Sequence, residues 1–286
     1  MSELLDIYGW TIVAGAVMAT VLALIGAQIS SREQAVQALV ISQASSLGVV
    51  IALAVMAGVY GLDIDHAHGI PLLASLSVGG LSLAFCDKFI SPSWPARNTY
   101  YVGIFGILLS VSYMITALVP ALESHMSASF FGDLALISDS DAKILIAVGG
   151  LALILIIAFW RKITELTFDI AVFSDSLNAR ANPLIHYGFV ALTILVLCLS
   201  IQFMGFLFSV TSLLVPALFF SRAARSFTSF TWLTALTGIG GASLGFLASL
   251  HHGRLPTVPA IAVAYIVIGA ALAAVLSLAS LVGRRS

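Results

Sequence analysis

The chain has 286 residues, 60% hydrophobic and only 9% charged, with 12 Lys and Arg against 13 Asp and Glu and a net charge of -1. Soluble proteins carry about 25% charged residues, so a water-soluble fold, which would leave this much apolar surface uncovered, is excluded. No nucleic-acid partner is expected.

Charged residues fall in short clusters separated by long charge-free stretches: 7–31, 34–62, 66–86, 98–122, 144–160, 181–221, 226–253 and 255–283. A helix rises about 1.5 Å per residue, so roughly 20 apolar residues cross a hydrocarbon core of about 30 Å. Within lipid only a helix satisfies its backbone polar groups inside one segment. The stretches therefore predict an all-α integral membrane protein, a polytopic bundle of eight to nine transmembrane helices forming one domain over 1–286. The expected spans are 9–30, 36–61, 70–87, 99–121, 143–160, 185–201, 205–221, 229–250 and 259–282.

The chain begins Met-Ser-Glu-Leu-Leu-Asp, acidic where a cleavable signal peptide needs a basic region, so the first span is expected to stay. With nine spans and the N-terminus outside, Arg32, Lys88, Arg97, Arg161, Lys162, Arg180, Arg222, Arg225, Arg284 and Arg285 all fall inside, and only Lys143 and Arg254 fall outside. The C-terminus is then cytoplasmic. The long 181–221 stretch is read as two spans; a re-entrant hairpin would place the charges equally well.

The outer connections hold Asp63, Asp65, His66 and His68, then Glu123, His125, Asp133, Asp139 and Asp141, then His251 and His252. This excess of acids would concentrate cations at a pathway mouth. Asp63, Asp65, His66 and His68 are residue types suited to zinc or manganese, although their spacing is equally that of an ordinary polar loop. The inner connection 161–184 mixes charge with Leu166, Phe168, Ile170, Val172 and Phe173, the pattern of a short amphipathic helix that docks on a partner or lies on the lipid surface. Pro216 falls mid-span, and Gly241 and Gly245 form a small-xxx-small pair; both serve close helix packing or a moving gate. Cys86 and Cys198 read as small apolar residues within spans.

No zinc-protease, nucleophile-elbow or phosphate-loop motif occurs, so the chain is not expected to hydrolyse ATP itself. The span centres carry no ionisable residue, which argues against a proton- or sodium-coupled pump and fits a pore energised by a separate subunit.

Three elements of the second half resemble, in order and rough spacing, the permease subunits of bacterial ABC importers for zinc and manganese. They are Ser129-Phe-Phe-Gly-Asp133; Trp160-Arg-Lys with Thr167-Phe-Asp169 and Ala171; and Phe203-Met-Gly205 through Ser212-Leu-Leu-Val-Pro216 to Arg222. The resemblance implies an inner-membrane permease homodimer, a separate ABC ATPase, and a periplasmic or lipoprotein metal-binding protein. It implies a transported zinc or manganese ion rather than a tightly bound cofactor, with Asp169, Ala171, Ser174 and Asp175 in the ATPase-coupling segment and Asp133 and Pro216 along the path. The first half departs from the family. Where its members read Gly-Asp-x-x-x-His-Ala-x-x-x-Gly, this chain has Ala38, Leu39, Gln43, Ala44 and Gly48. Ser42, Gln43 and Ser45 are then the candidate pathway residues in that frame, and Gln43 serves equally as a helix-to-helix hydrogen bond. The usual Gly after Ala171 is also missing, with Ser174-Asp175 in its place. A metal chelate as cargo, or a non-transporting membrane scaffold, are the competing expectations.

Overall fold

The computed structural model describes residues 2–58, 69–90, 96–123, 130–132, 134–173, 183–221, 223–252 and 255–282. These form ten α-helices: α1 Ser2–Ser31, α2 Ala35–Gly58, α3 Gly69–Phe89, α4 Arg97–Leu118, α5 Asp139–Ala158, α6 Trp160–Phe173, α7 Pro183–Met204, α8 Phe206–Phe220, α9 Phe227–His252 and α10 Thr257–Val282. Eight are long and apolar enough to cross a membrane; α8 is equally apolar but has only 15 residues, about 22 Å.

Nine of these helices fall where the charge-free stretches predict spans, and α6 falls in the 161–184 connection. The helices run back and forth between two ends of the bundle. At one end Arg32 closes α1, Arg97 at the start of α4 donates to the Glu33 carbonyl at 3.2 Å, and Gln37 in α2 reaches Asp87 in α3. At the other, the Lys143 ammonium of α5 sits 5.2 Å from the centre of the Trp10 ring of α1.

α7 starts beside Arg32 and stops at Gly205, whose φ of 90° ends the helix and starts α8. A Cβ at Gly132, in the α4–α5 connection, would overlap the Met204 carbonyl oxygen there. α8 then returns, and Phe220 and Ser221 line a cavity with Ser30 and Ser31 at the end of α1. The 181–221 hairpin therefore traverses the bundle twice. The shortness of α8 is made up by the connection, which folds inward: Leu134, in a 3₁₀ turn over Leu134–Leu136, is 1% exposed and lies against Gly15 of α1.

α1 is the hub. It packs on α5, α6, α7, α8 and α9, while α2, α3 and α4 form a flank joined through α7 and α8. Small residues set the closest approaches, because dispersion between backbones drives helix association where lipid removes the hydrophobic term. Gly26 meets the Leu213 backbone (α1 to α8), Gly238 meets Ala19 and Ala23 (α1 to α9), Gly245 meets the Ile261 backbone (α9 to α10), and Gly48 meets Ala74 and Ser75 (α2 to α3). The Gly241 and Gly245 spacing thus serves packing of α9 on α10. Outward faces carry apolar rows such as Val102, Ile107 and Met114 on α4 and Val263 and Val267 on α10, as a lipid-facing surface requires.

Candidate functional site

Between the span centres the interior is polar, and its one buried charge, among the described residues, is Arg32 at the end of α1. In α2, Ser42, Gln43 and Ser45 are all buried. Ser42 Oγ donates to its own helix at the Ala38 carbonyl, 2.8 Å away. Gln43 Nε2 points across to Ser112 Oγ of α4 at 3.4 Å, and its Oε1 has no hydrogen-bond partner. Ser45 Oγ accepts from the Cys198 thiol of α7 at 3.4 Å and lies where a Cβ on Gly79 of α3 would stand. Further along the bundle Ser209 of α8 donates to Ser200 of α7 at 2.7 Å, and Ser212 shares a 2.8 Å hydrogen bond with Tyr265 of α10. Pro216 is buried one turn beyond Ser212. Hydroxyls, one amide and one thiol thus lie between helices, able to offer weak dipoles to a passing solute but no fixed negative charge.

Gln43 makes only a long hydrogen bond and leaves one acceptor orphaned, while Ser112 also bonds the Leu108 carbonyl at 3.0 Å. Gln43→Met keeps the volume and removes the orphan. Its expected effect is unchanged or raised thermal stability, by up to about 1 kcal/mol, checked by melting the purified protein.

At the Arg32 end a cavity of about 70 Å³ is lined by Arg32, Gln34, Gln37, Asp87, His186 and Phe189, among others. Gln37 Nε2 donates to Asp87 at 2.9 Å, and His186 Nδ1 is buried without a partner. Arg32 is 5% exposed. Its Nε and Nη2 donate to Thr167 Oγ1 of α6 at 3.1 and 2.8 Å, and its guanidinium lies 4.5 Å from the centre of the Phe189 ring of α7. Burial pulls its pKa down to about 10, which still leaves it charged at neutral pH.

α6 docks through Ile163, Leu166, Thr167 and Ile170, the one-face spacing of an amphipathic helix. Phe227 of α9 packs edge-on against Phe168 and stacks with Trp160, securing the near end. Arg161, Lys162, Glu165 and Phe168 stay exposed. Asp169 is half-buried; Ala171 is exposed and lines a second cavity of about 440 Å³ with Ser221, Arg225 and Ser226.

Asp63, Asp65, His66 and His68, together with Asp133, Ser174 and Asp175, lie outside the described residues. Among the described residues no group of three or more His, Cys, Asp or Glu side chains is placed to hold a metal ion. The junction of Arg32, Thr167 and Gln28 was not read from the sequence. Arg32 counted there only as an inner base, and a threonine in an amphipathic helix gives no signal of a partner 135 positions away.

Apolar helices around a polar interior, with an amphipathic helix docked across one end, define a multi-pass membrane protein. The ABC 3 transport family matches residues 5–279, and the chain belongs to that family. It is 23% identical over 216 residues to the chelated iron transport system membrane protein YfeD of Yersinia pestis, covering 74% of this chain and 70% of that one. Among solved structures it is similar to PsaBC from Streptococcus pneumoniae in complex with Fab, with TM-score 0.73 and 19% identity over 93% of this chain and 92% of that one. It is also similar to an inward-facing conformation of a metal-chelate type ABC transporter, with TM-score 0.67 and 15% identity over 96% and 88% of the two chains. At these identities the structures establish a shared fold.

Proposed function

We propose that this chain is the membrane subunit of an ATP-driven importer of a transition metal in a bacterial cytoplasmic membrane, with zinc or manganese as the cargo. Two copies would form the path, a separate ABC ATPase would dock on α6, and a metal-binding protein would deliver cargo at the opposite face. The observation that carries the reading is the placement of α6: an amphipathic helix with an exposed charged face, joined through buried contacts to the hub helix of a family transport fold. Gathering of Arg32, Lys88, Arg97, Arg161, Lys162 and Arg225 at the α6 end supports a cytoplasmic position for that end and an external N-terminus.

The test is cell-associated zinc, manganese and iron, by mass spectrometry, in cells with and without the gene under chelator. A selective fall in one metal is expected, restored by the gene but not by a version with residues 169–175 replaced by Ala and Gly. Unchanged zinc, manganese and iron, with redundant importers also deleted, would overturn import of a free ion.

A metal chelate is the second reading. It is favoured by Leu39 and Gln43 and by an interior that offers hydroxyls and an amide where a bare divalent ion prefers carboxylate or imidazole. Under it, uptake of iron supplied as a chelate falls without the gene while free-ion content stays constant.

A further inference from the structure

We propose that Arg32 is the positioning residue that carries displacement of α6 into the centre of the bundle, an inference that rests on the transporter reading above. One hydroxyl forms the joint. Thr167 Oγ1 of α6 accepts from Arg32 Nε and Nη2 at 3.1 and 2.8 Å, and its own proton has two acceptors: Gln28 Oε1 of α1 at 2.5 Å and the Ile163 carbonyl at 2.9 Å. Gln28 and Arg32 are one helical turn apart on α1, so the threonine of α6 is held between two side chains of one helix. The guanidinium lies over the Phe189 ring, which brings α7 into the same joint.

The joint is dry. Arg32, Thr167 and Gln28 are 5%, 1% and 0% exposed, and no carboxylate pairs with Arg32 among the described residues. Among the described residues its hydrogen bonds go to the Thr167 hydroxyl and its face lies on the Phe189 ring. Drawing α6 away from α1 would strip a desolvated guanidinium of both hydrogen bonds, and a buried charge without partners is among the costliest states a protein can adopt. The joint thereby ties the end of α1 to α6 when α6 is displaced. Because α1 touches α2, α5, α7, α8 and α9, a push on the exposed face of α6 reaches the helices that border the hub. A capping role for Arg32 would ask only for any group that satisfies the end of α1. A joint asks for a charged fork on one side and a hydroxyl on the other, and the geometry meets that demand.

The experiment uses the whole transporter, permease with its ATPase, in proteoliposomes, and reads zinc(II) or manganese(II) imported per ATP hydrolysed. Arg32→Ala and Thr167→Val are expected to keep hydrolysing ATP while import per ATP falls about tenfold, within the usual range of coupling between sites. Thr167→Ser, which keeps the hydroxyl, should import as the wild type does. Arg32→Lys, a point charge without the fork, should fall between. Hydrogen exchange gives a second readout. A non-hydrolysable ATP analogue should change exchange in α6 and the last turns of α1 together in the wild type, and in α6 alone in Thr167→Val. If Arg32→Ala fails to assemble, the isosteric Thr167→Val and its Ser control carry the test. A working wild type whose variants match it in import per ATP and in exchange would overturn the role of Arg32 alone. A wild-type complex inert in both measurements would overturn the transporter reading, and the coupling role with it.

Discussion

Gly26→Ala is expected to cost about 3 kcal/mol or more, a large share of the roughly 5–15 kcal/mol that holds most folded domains together. Helix propensity alone points the other way, since Ala is favoured over Gly by about 1 kcal/mol in a helix interior. Sterics override it. A Cβ at Gly26 would overlap the Leu213 carbonyl oxygen, with the Leu213 carbonyl carbon at 2.7 Å. Both positions are backbone on buried helices, so neither can step aside as a side-chain tip would. The whole α1–α8 contact must open, and α1 is the hub. Gly106→Ala and Gly150→Ala serve as controls: nothing lies within 4 Å of a Cβ at either, so each should melt at or slightly above the wild-type temperature. Thermal unfolding of the purified protein in detergent checks all three. A Gly26→Ala protein as stable as the wild type would mean that α1 and α8 do not approach this closely.

Leu134→Asp should be of similar size, at about 4 kcal/mol or more, because it places an unpaired carboxylate in an apolar site. Leu134 is 1% exposed in the connection that folds in between α4 and α5, and it lies in the same apolar cluster as Met18, Met204 and Tyr265. Phe131→Asp, three positions earlier and 55% exposed, should be close to neutral by comparison. Leu134→Met should cost less than about 1.5 kcal/mol, since the volume is kept. Loss of melting temperature and of folded yield in the Asp variant, with the other two near wild type, is the expected result. Equal tolerance of Asp at 134 and 131 would show that the connection stays outside the bundle.

The helices were legible in the sequence because the physical signal is one-dimensional. Eight charge-free stretches, each bounded by charge, fix where backbone must be helical in lipid, and α1 to α5, α7, α9 and α10 begin and end within a few residues of the expected spans, except that α1 starts at Ser2 rather than at residue 9. α6 was legible as an amphipathic helix but its buried face only in part: of the apolar residues singled out, Leu166 and Ile170 pack on the bundle while Phe168 is exposed, and Ile163 and Thr167 complete the face. The family, too, could be read from short elements between Ser129 and Arg222, and it extends over residues 5–279.

Contacts were not legible. Gln43 could be a pathway group or an interhelical tie; the fold gives it a 3.4 Å hydrogen bond to Ser112 and an orphaned oxygen, neither of which its neighbours in sequence encode. Pro216 and the glycines of α9 looked alike as packing or gating elements, and only the fold sets Gly245 on the Ile261 backbone and Gly241 on the Tyr265 ring.

The sequence by itself therefore determined the class of protein, the placement of eight to nine spans, and the amphipathic helix between α5 and α7, because each follows from hydropathy and charge along one chain. Tertiary structure alone decided that α1 is the hub, that α8 returns through the bundle from the Gly132 contact, and that Arg32, Thr167 and Gln28 meet. Those arrangements depend on which faces of distant helices come together, through backbone approaches and through buried hydrogen bonds such as that of Ser45 and Cys198, 153 positions apart.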